Sequence, residues 1–233
     1  MTGDRPHIGI TTSLNEGEQR LDRRYVTAVE RAGGLPVILP MTNSTALLRR
    51  IAEGLDGLVV PGGPAITIGL VGSLPDDLPD VLMVRTRSDT TILEAVLAAH
   101  RPVLGICYGM QLINAISGGT IYADVQNQVE GTQAHSEKRG ATDHPVGVEP
   151  GSVLARTIRP GMSVNTYHIQ AIASVGEGLT ATAFAPDGVI EAVESSDGQI
   201  VGVQFHPEKM GDNGMALFSH LVERALDTKK LRA

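Results

Sequence analysis

The apolar and polar positions follow two rhythms, one in each half of the chain. In the first half, short apolar runs alternate with stripes at helical spacing. His7 to Thr12 reads as a strand, and Arg23 to Ala32 as a helix with Tyr25, Val26, Val29 and Ala32 on one face. Gly33-Gly34 closes that helix as a C-cap, and Leu35 to Leu39 is a second strand ended by Pro40. Ser44 caps a helix to about Ala52, Asp56 to Val60 is a third strand, and Pro61-Gly62-Gly63-Pro64 is a tight loop at its end. Arg87 to Ala99 is a helix that leads into the fully apolar strand Val103-Leu104-Gly105-Ile106. Met110 to Ile116 then has helical spacing, stopped by Ser117-Gly118-Gly119. This order predicts an α/β protein with a doubly wound, mostly parallel central sheet and helices on both faces.

Past Asp143 the rhythm changes to short strands, at Val146 to Val148, Ser163 to Tyr167, Leu179 to Ala185, Val189 to Glu194 and Ile200 to Gln204. Ala185-Pro186-Asp187-Gly188 and Ser195-Ser196-Asp197-Gly198 are hairpin turns, so antiparallel strands are added in the C-terminal half. A helix from Asn213 to about Leu226 follows. Two stretches resist this reading. Asp124 to Asp143 is polar and has no period, and Ala65 to Pro79 is broken by Gly69, Gly72, Pro75 and Pro79. The second reads either as a surface loop or as a substrate-side lid. No repeat, linker or boundary divides the 233 residues, and residues 1–233 are expected to form a single domain.

Composition narrows the function. Apolar residues make up 42% of the chain, enough for a sizeable core. The net charge of −7, the 3% aromatic content and the absence of Trp argue against a nucleic-acid partner. Lys229-Lys230-Leu231-Arg232 reads as a solvated tail. A single Cys suits a reducing compartment, and no apolar run has signal-peptide or membrane-spanning length. The expectation is a cytoplasmic protein with no membrane partner.

The chemistry concentrates in three short motifs. Gly105-Ile106-Cys107-Tyr108-Gly109 has the G-x-[Ser/Cys]-x-G form of a nucleophile elbow, at a strand-to-helix corner where the helix dipole favours a thiolate. An inert core cysteine is the alternative for Cys107 taken alone, and the elbow pattern favours the nucleophile. Val203-Gln204-Phe205-His206-Pro207-Glu208 ends another strand, and in extended chain His206 and Glu208 face the same way. Together, Cys107, His206 and Glu208 make a nucleophile, base and orienting carboxylate. The glycine turn after Val60 offers the Gly63 N–H, and the residue after the nucleophile offers the Tyr108 N–H, as donors to an oxyanion.

This set of motifs, in this order, resembles the class I glutamine amidotransferase superfamily. The match is closer to its gamma-glutamyl-gamma-aminobutyrate hydrolase-like branch, the peptidase C26 family. The branch signals are Tyr25 to Pro36, Gly118 to Val125, Val164 to Ile172, Ala185 to Ala192 and Gly202 to Glu208. The resemblance implies the flavodoxin-like class I glutamine amidotransferase fold. It carries over Cys107, His206 and Glu208 as the triad and Gly63 and Tyr108 as backbone oxyanion donors. It also places Gln111 at the glutamyl group and Tyr167 and His168 on the substrate side; an exposed first-turn residue remains the alternative for Gln111, and a structural role for His168. Four departures stand out. Tyr108 follows the Cys where Arg is usual, Gly62 to Thr67 replaces a G-G-x-D-x-x-P loop, Ile169 stands for the second His of H-H-Q, and Arg85 to Asp89 is a reduced R-D-x-x-E stretch.

The implied activity is hydrolysis of γ-glutamyl amide bonds through a glutamyl thioester. The alternatives are a glutaminase subunit feeding ammonia to a separate synthetase, and a non-catalytic binding module. A homodimer is compatible with the sequence, and no cofactor is expected. His7, His100, His135, His144 and His220 show no ligand spacing, so no metal is expected either.

Overall fold

A computed structural model describes residues 5–78, 83–159 and 161–231. The readings that touch residues 1–4, Pro79 and Arg232 lie outside the described residues. The chain opens with β1 (His7–Ile10), a hairpin of β2 (Ser13–Asn15) and β3 (Glu18–Arg20), α1 (Arg23–Arg31), β4 (Leu35–Ile38), α2 (Thr45–Glu53) and β5 (Gly57–Val60). Next come β6 (Leu70–Val71), α3 (Met83–Ala98), β7 (Val103–Ile106), α4 (Tyr108–Ile116), β8 (Thr120–Tyr122) and α5 (Val125–Gln128). The remainder holds β9 (His144–Pro145), β10 (Gly147–Val148), α6 (Val153–Thr157), β11 (Ser163–Val164), β12 (Ala171–Ser174), β13 (Leu179–Phe184), β14 (Ile190–Ser195), β15 (Ile200–Val203) and α7 (Asp212–Lys230).

The central sheet has eight strands in the order β10-β13-β14-β15-β7-β5-β1-β4. From β4 to β15 neighbours are parallel, and from β15 to β10 they are antiparallel. The two expected hairpin turns join β13 to β14 and β14 to β15. Alternation along buried strands feeds two cores. Ile8, Ile10, Val59, Leu104 and Ile106 meet Val29 of α1 and Leu217, Phe218 and Leu221 of α7 on one face. Leu58, Val60 and Val103 meet Leu48 of α2, Ile92 and Val96 of α3, and Leu112 and Ile113 of α4 on the other. Each fully buried side chain of this size contributes about 1.5–3 kcal/mol. Caps fix the helix starts: Asp22 accepts from Arg24 N at 2.9 Å, and Ser44 Oγ from Leu47 N at 3.3 Å. Among the described residues no helix is long and apolar enough to cross a membrane.

Several boundaries differ from the sequence reading, each for a local reason. Helix α3 begins at Met83 rather than Arg87, because Arg85, Thr86, Ser88 and Asp89 are buried and hide its inward face. The Ser163 to Tyr167 strand stops at Val164, after which Asn165 and His168 bond to His206 and His135 instead of to a ladder. The Val146 to Val148 strand is β10 alone, and the separate β9 pairs with β11. The 65–79 stretch starts buried, at Ala65 and Ile66, and contributes β6 to a small sheet with β8 and β12.

Candidate active site at the strand ends

Parallel β5, β7 and β15 lie side by side, with Val60 opposite Gly105 and Ile106 opposite Val203. Their C-terminal ends therefore release Pro61-Gly62-Gly63, Cys107 and Gln204-Phe205-His206 at one rim, where ligands sit in open α/β sheets. Cys107 turns the chain from β7 into α4 with φ 51° and ψ −105°, a conformation that L residues rarely adopt. The corner is held by Cys107 N–H donating to Val203 O at 2.7 Å. Gly109 is required beside it, since a Cβ there would lie 2.0 Å from the Val60 carbonyl oxygen. Such strain persists where packing over-determines it, and it aims the thiol out of the sheet end.

His206 and Glu208 follow β15 as expected. Nδ1 of His206 lies 2.7 Å from Glu208 Oε1, and the Cys107 side chain is close enough to the imidazole to act on its charge. Burial pulls the imidazole pKa down, but the hydrogen bonds and charges of Cys107 and Glu208 outweigh it and push it up to about 9. The three residues that the sequence singled out thus meet at one rim. Two more residues fix them. Asn165 grips His206 through its main chain, and Tyr25 accepts the Gly62 N–H at 3.2 Å with its hydroxyl. Burial, then the neighbouring Glu208 charge, raise the Tyr25 pKa and hold its proton on. Tyr25 looked like core stripe in the sequence, and Asn165 carried no local signal of its role.

Gly63 and Cys107 line one cleft together with Gln111, Tyr167, His168 and Gln170. Tyr108 is the first residue of α4, where N–H groups lack intrahelical partners. Behind the Gly62-Gly63 turn lies Arg85, almost completely buried. Its guanidinium pairs with Asp89 (3.2 Å), donates to Ser13 Oγ (3.1 Å) and Gly62 O (3.4 Å), and stacks 4.1 Å from the Tyr108 ring centroid. Burial raises the Asp89 pKa, and Arg85 offsets only part of that rise. The i, i+4 spacing of Arg85 and Asp89 was a visible sign of this pair.

The remaining expected residues have distinct placements. Gln111 is buried, not exposed, because its amide donates to Gln170 O at 2.9 Å and Gln204 Oε1 at 3.0 Å. Tyr167 is exposed, edge-on to His206 with centroids 5.7 Å apart, and carries the Lys209 ammonium over its face at 4.0 Å. His168 touches the cleft but is buried, with Nδ1 bonded to Gln170 O at 3.0 Å. Its other nitrogen joins a group that linear spacing concealed, in which His135, His144 and His168 surround Glu191.

Comparison with known proteins bears on the family and the fold. The Peptidase C26 family model matches residues 2–208. The gamma-glutamyl-gamma-aminobutyrate hydrolase PuuD of Escherichia coli is 32% identical, covering 87% of this chain and 85% of its own. The provisionally named glutamine amidotransferase Rv2859c of Mycobacterium tuberculosis is 34% identical over 95% of this chain and 75% of its own. A solved Thermoplasma acidophilum protein, provisionally described as one chain of a GMP synthase, superposes with a TM-score of 0.68 at 17% identity over 98% of both chains, which is a likeness of fold. The chain belongs to the peptidase C26 family of class I glutamine amidotransferase-like proteins.

Proposed function

We propose that this protein is a cysteine-dependent hydrolase of γ-glutamyl amide bonds. The observation that carries the reading is the His206 imidazole held between the Cys107 thiol at the strained elbow and the Glu208 carboxylate. An imidazole whose pKa is raised to about 9 is basic enough to take the thiol proton and hold it for the leaving amine. Cys107 Sγ attacks the amide carbonyl, and the Gly63 and Tyr108 N–H groups receive the oxyanion. His206 gives its proton to the leaving amine, the C–N bond breaks, and a glutamyl thioester remains. Water then attacks the thioester, His206 takes the water proton, and glutamate leaves with the thiolate restored. Glu208 keeps the ring oriented throughout.

Gln111, Tyr167 and His168 form the substrate-side wall in this reading. Gln111 donates its amide to Gln170 O and Gln204 Oε1, and His168 Nδ1 is bonded to Gln170 O, so they shape the cleft rather than move protons. The likeness to PuuD favours a γ-glutamyl amine or peptide as substrate over glutamine. Turnover of γ-glutamyl amines, γ-glutamyl peptides and glutamine by the purified protein tests the proposal. Faster turnover of the conjugates is expected, with a thioester adduct on Cys107 in the quenched reaction. Turnover of glutamine alone, rising with an added synthetase, would instead make the chain a glutaminase subunit. A Cys107→Ala protein with normal activity would remove the mechanism.

A further inference from the structure

The least explained atoms in the molecule lie behind the cleft. Glu191 of β14 is completely buried, and neither of its carboxylate oxygens has a hydrogen-bond partner among the described residues. Glu194, three residues on in the same strand and also buried, is the contrast. It accepts from Val153 N at 2.7 Å, Leu154 N at 2.9 Å and Thr182 Oγ1 at 3.0 Å. A buried carboxylate without donors is costly, and the fold has supplied donors to one of these glutamates and not to the other.

What faces Glu191 is three imidazoles. Its Oε1 lies 3.5 Å from His168 Nε2, 3.6 Å from His144 Nε2 and 3.8 Å from His135 Nδ1. The far nitrogen of each ring is already engaged. His135 Nε2 meets Asp187 Oδ2 at 2.9 Å, His168 Nδ1 meets Gln170 O at 3.0 Å, and His144 Nδ1 meets Pro145 O at 3.1 Å. Those partners only accept, so each far nitrogen carries the N–H and each near nitrogen presents a lone pair in the neutral ring. Thr166 Oγ1 stands 3.3 Å from His135 Nδ1, but its proton goes to His135 O at 2.8 Å. Lone pairs on three rings thus converge on an acceptor-only carboxylate.

We infer that His135, His168 and Glu191, with His144 beside them, bind one first-row divalent cation, with zinc the best match. The donor set is the nitrogen and oxygen set that zinc takes, and an outer carboxylate or carbonyl on every ring is the usual way that metal-bound imidazoles are oriented. The spacing agrees. The donor atoms of His135, His168 and Glu191 all lie within 4.8 Å of one another. Charge-assisted hydrogen bonds would bring N and O to about 2.7–2.9 Å. The 3.5–3.8 Å seen here is closer to the ~3.3 Å edge of a tetrahedron with bonds of about 2.0–2.1 Å. The site is structural in this inference. It ties the aperiodic segment around His135, the β9 strand, the Tyr167-His168 cleft wall and the β13–β14 hairpin to one point.

The test is metal content. The full chain, grown with zinc and dialysed against a chelator, is expected to retain about one zinc per molecule by elemental analysis, and to show visible cobalt absorption of four-coordinate type after exchange. H144N, H168N and E191Q are expected to lose the metal. Should these fail to fold, D187N keeps all four ligands and is expected to bind zinc about 10- to 100-fold more weakly in competition with a chromophoric chelator. Cys107→Ala is expected to keep the metal, which separates this site from the thiol. Folded wild-type protein without stoichiometric metal, with a Tm unmoved by zinc or chelator, would overturn the inference. So would a metal lost in Cys107→Ala, or an unchanged affinity in D187N.

Discussion

Asn165 and His206 hold each other through two hydrogen bonds: the His206 N–H donates to Asn165 Oδ1 at 2.8 Å, and Asn165 Nδ2 donates to His206 O at 3.0 Å. Both residues are buried. This reciprocal pair fixes the main chain from which the imidazole reaches Cys107. Asn165→Ala is expected to lower kcat about 100-fold with a smaller change in KM, since a shift of about 1 Å in a reacting group costs that much. Each orphaned backbone group costs about 1–3 kcal/mol, so urea unfolding should show a loss as well. Unchanged kcat would mean that Glu208 alone positions the ring.

The His206 pKa makes a signed prediction. Its folded value, about 9, lies above the ordinary 6.5, so the pair stabilises the fold fully below pH 6.5 and loses that effect as pH rises through about 9. The upward shift corresponds to an effect on the order of 3 kcal/mol. The Tm of the wild type should fall between these pH values more than that of Cys107→Ala, which lacks one of the groups that raise the pKa. Amide cleavage should hold to about pH 8 and decline as pH passes about 9, where folded His206 loses the proton that the leaving amine needs. A Tm flat from pH 6.5 to 9 together with a rate flat beyond pH 9 would remove the protonated imidazole from the mechanism.

What the sequence revealed of the fold and the site followed the range of the interaction. Val103 to Ile106, Arg23 to Ala32 and the two Asp-Gly turns announce themselves within a few residues, through period and turn chemistry. Cys107, His206 and Glu208 were legible because each sits in a short motif at a strand end, and parallel strand order brings such ends together. The hairpin of β2 and β3 had no signal, being two three-residue polar strands with no buried face. Strands β6, β8 and β12 are too short for periodicity and pair chiefly with one another. The aperiodic Asp124 to Asp143 stretch is held by side chains from far away, Arg139 bridging Asp77 and Asp124, and His135 meeting Asp187. No local pattern encodes contacts of that kind.

The elbow glycine gives a steric prediction. Gly109→Ala puts a methyl group 2.0 Å from the Val60 carbonyl oxygen, a backbone atom of the central sheet that cannot rotate away. Helix α4 must shift, and Cys107 with it. A destabilisation of about 1–3 kcal/mol is expected, the usual cost of overpacking. Activity should drop further than stability does, and retention of both would show that the helix slides freely on β5.

The Arg85–Asp89 pair under the Gly62-Gly63 turn allows a double-mutant test. Both side chains are almost completely buried, so removing Arg85 alone leaves a carboxylate without its cation. Arg85→Met should cost about 3–5 kcal/mol by that route, while Arg85→Met with Asp89→Leu should recover much of it, because an apolar pair of similar volume needs no counter-charge. Activity should not recover in the double variant. The Arg85 guanidinium also donates to Gly62 O and packs against the Gly63 turn, so the donor offered to an oxyanion loses its support in both variants. Thermal unfolding and γ-glutamyl amide turnover on the same three proteins separate the two effects. Recovery of stability and rate together would assign Arg85 to folding alone.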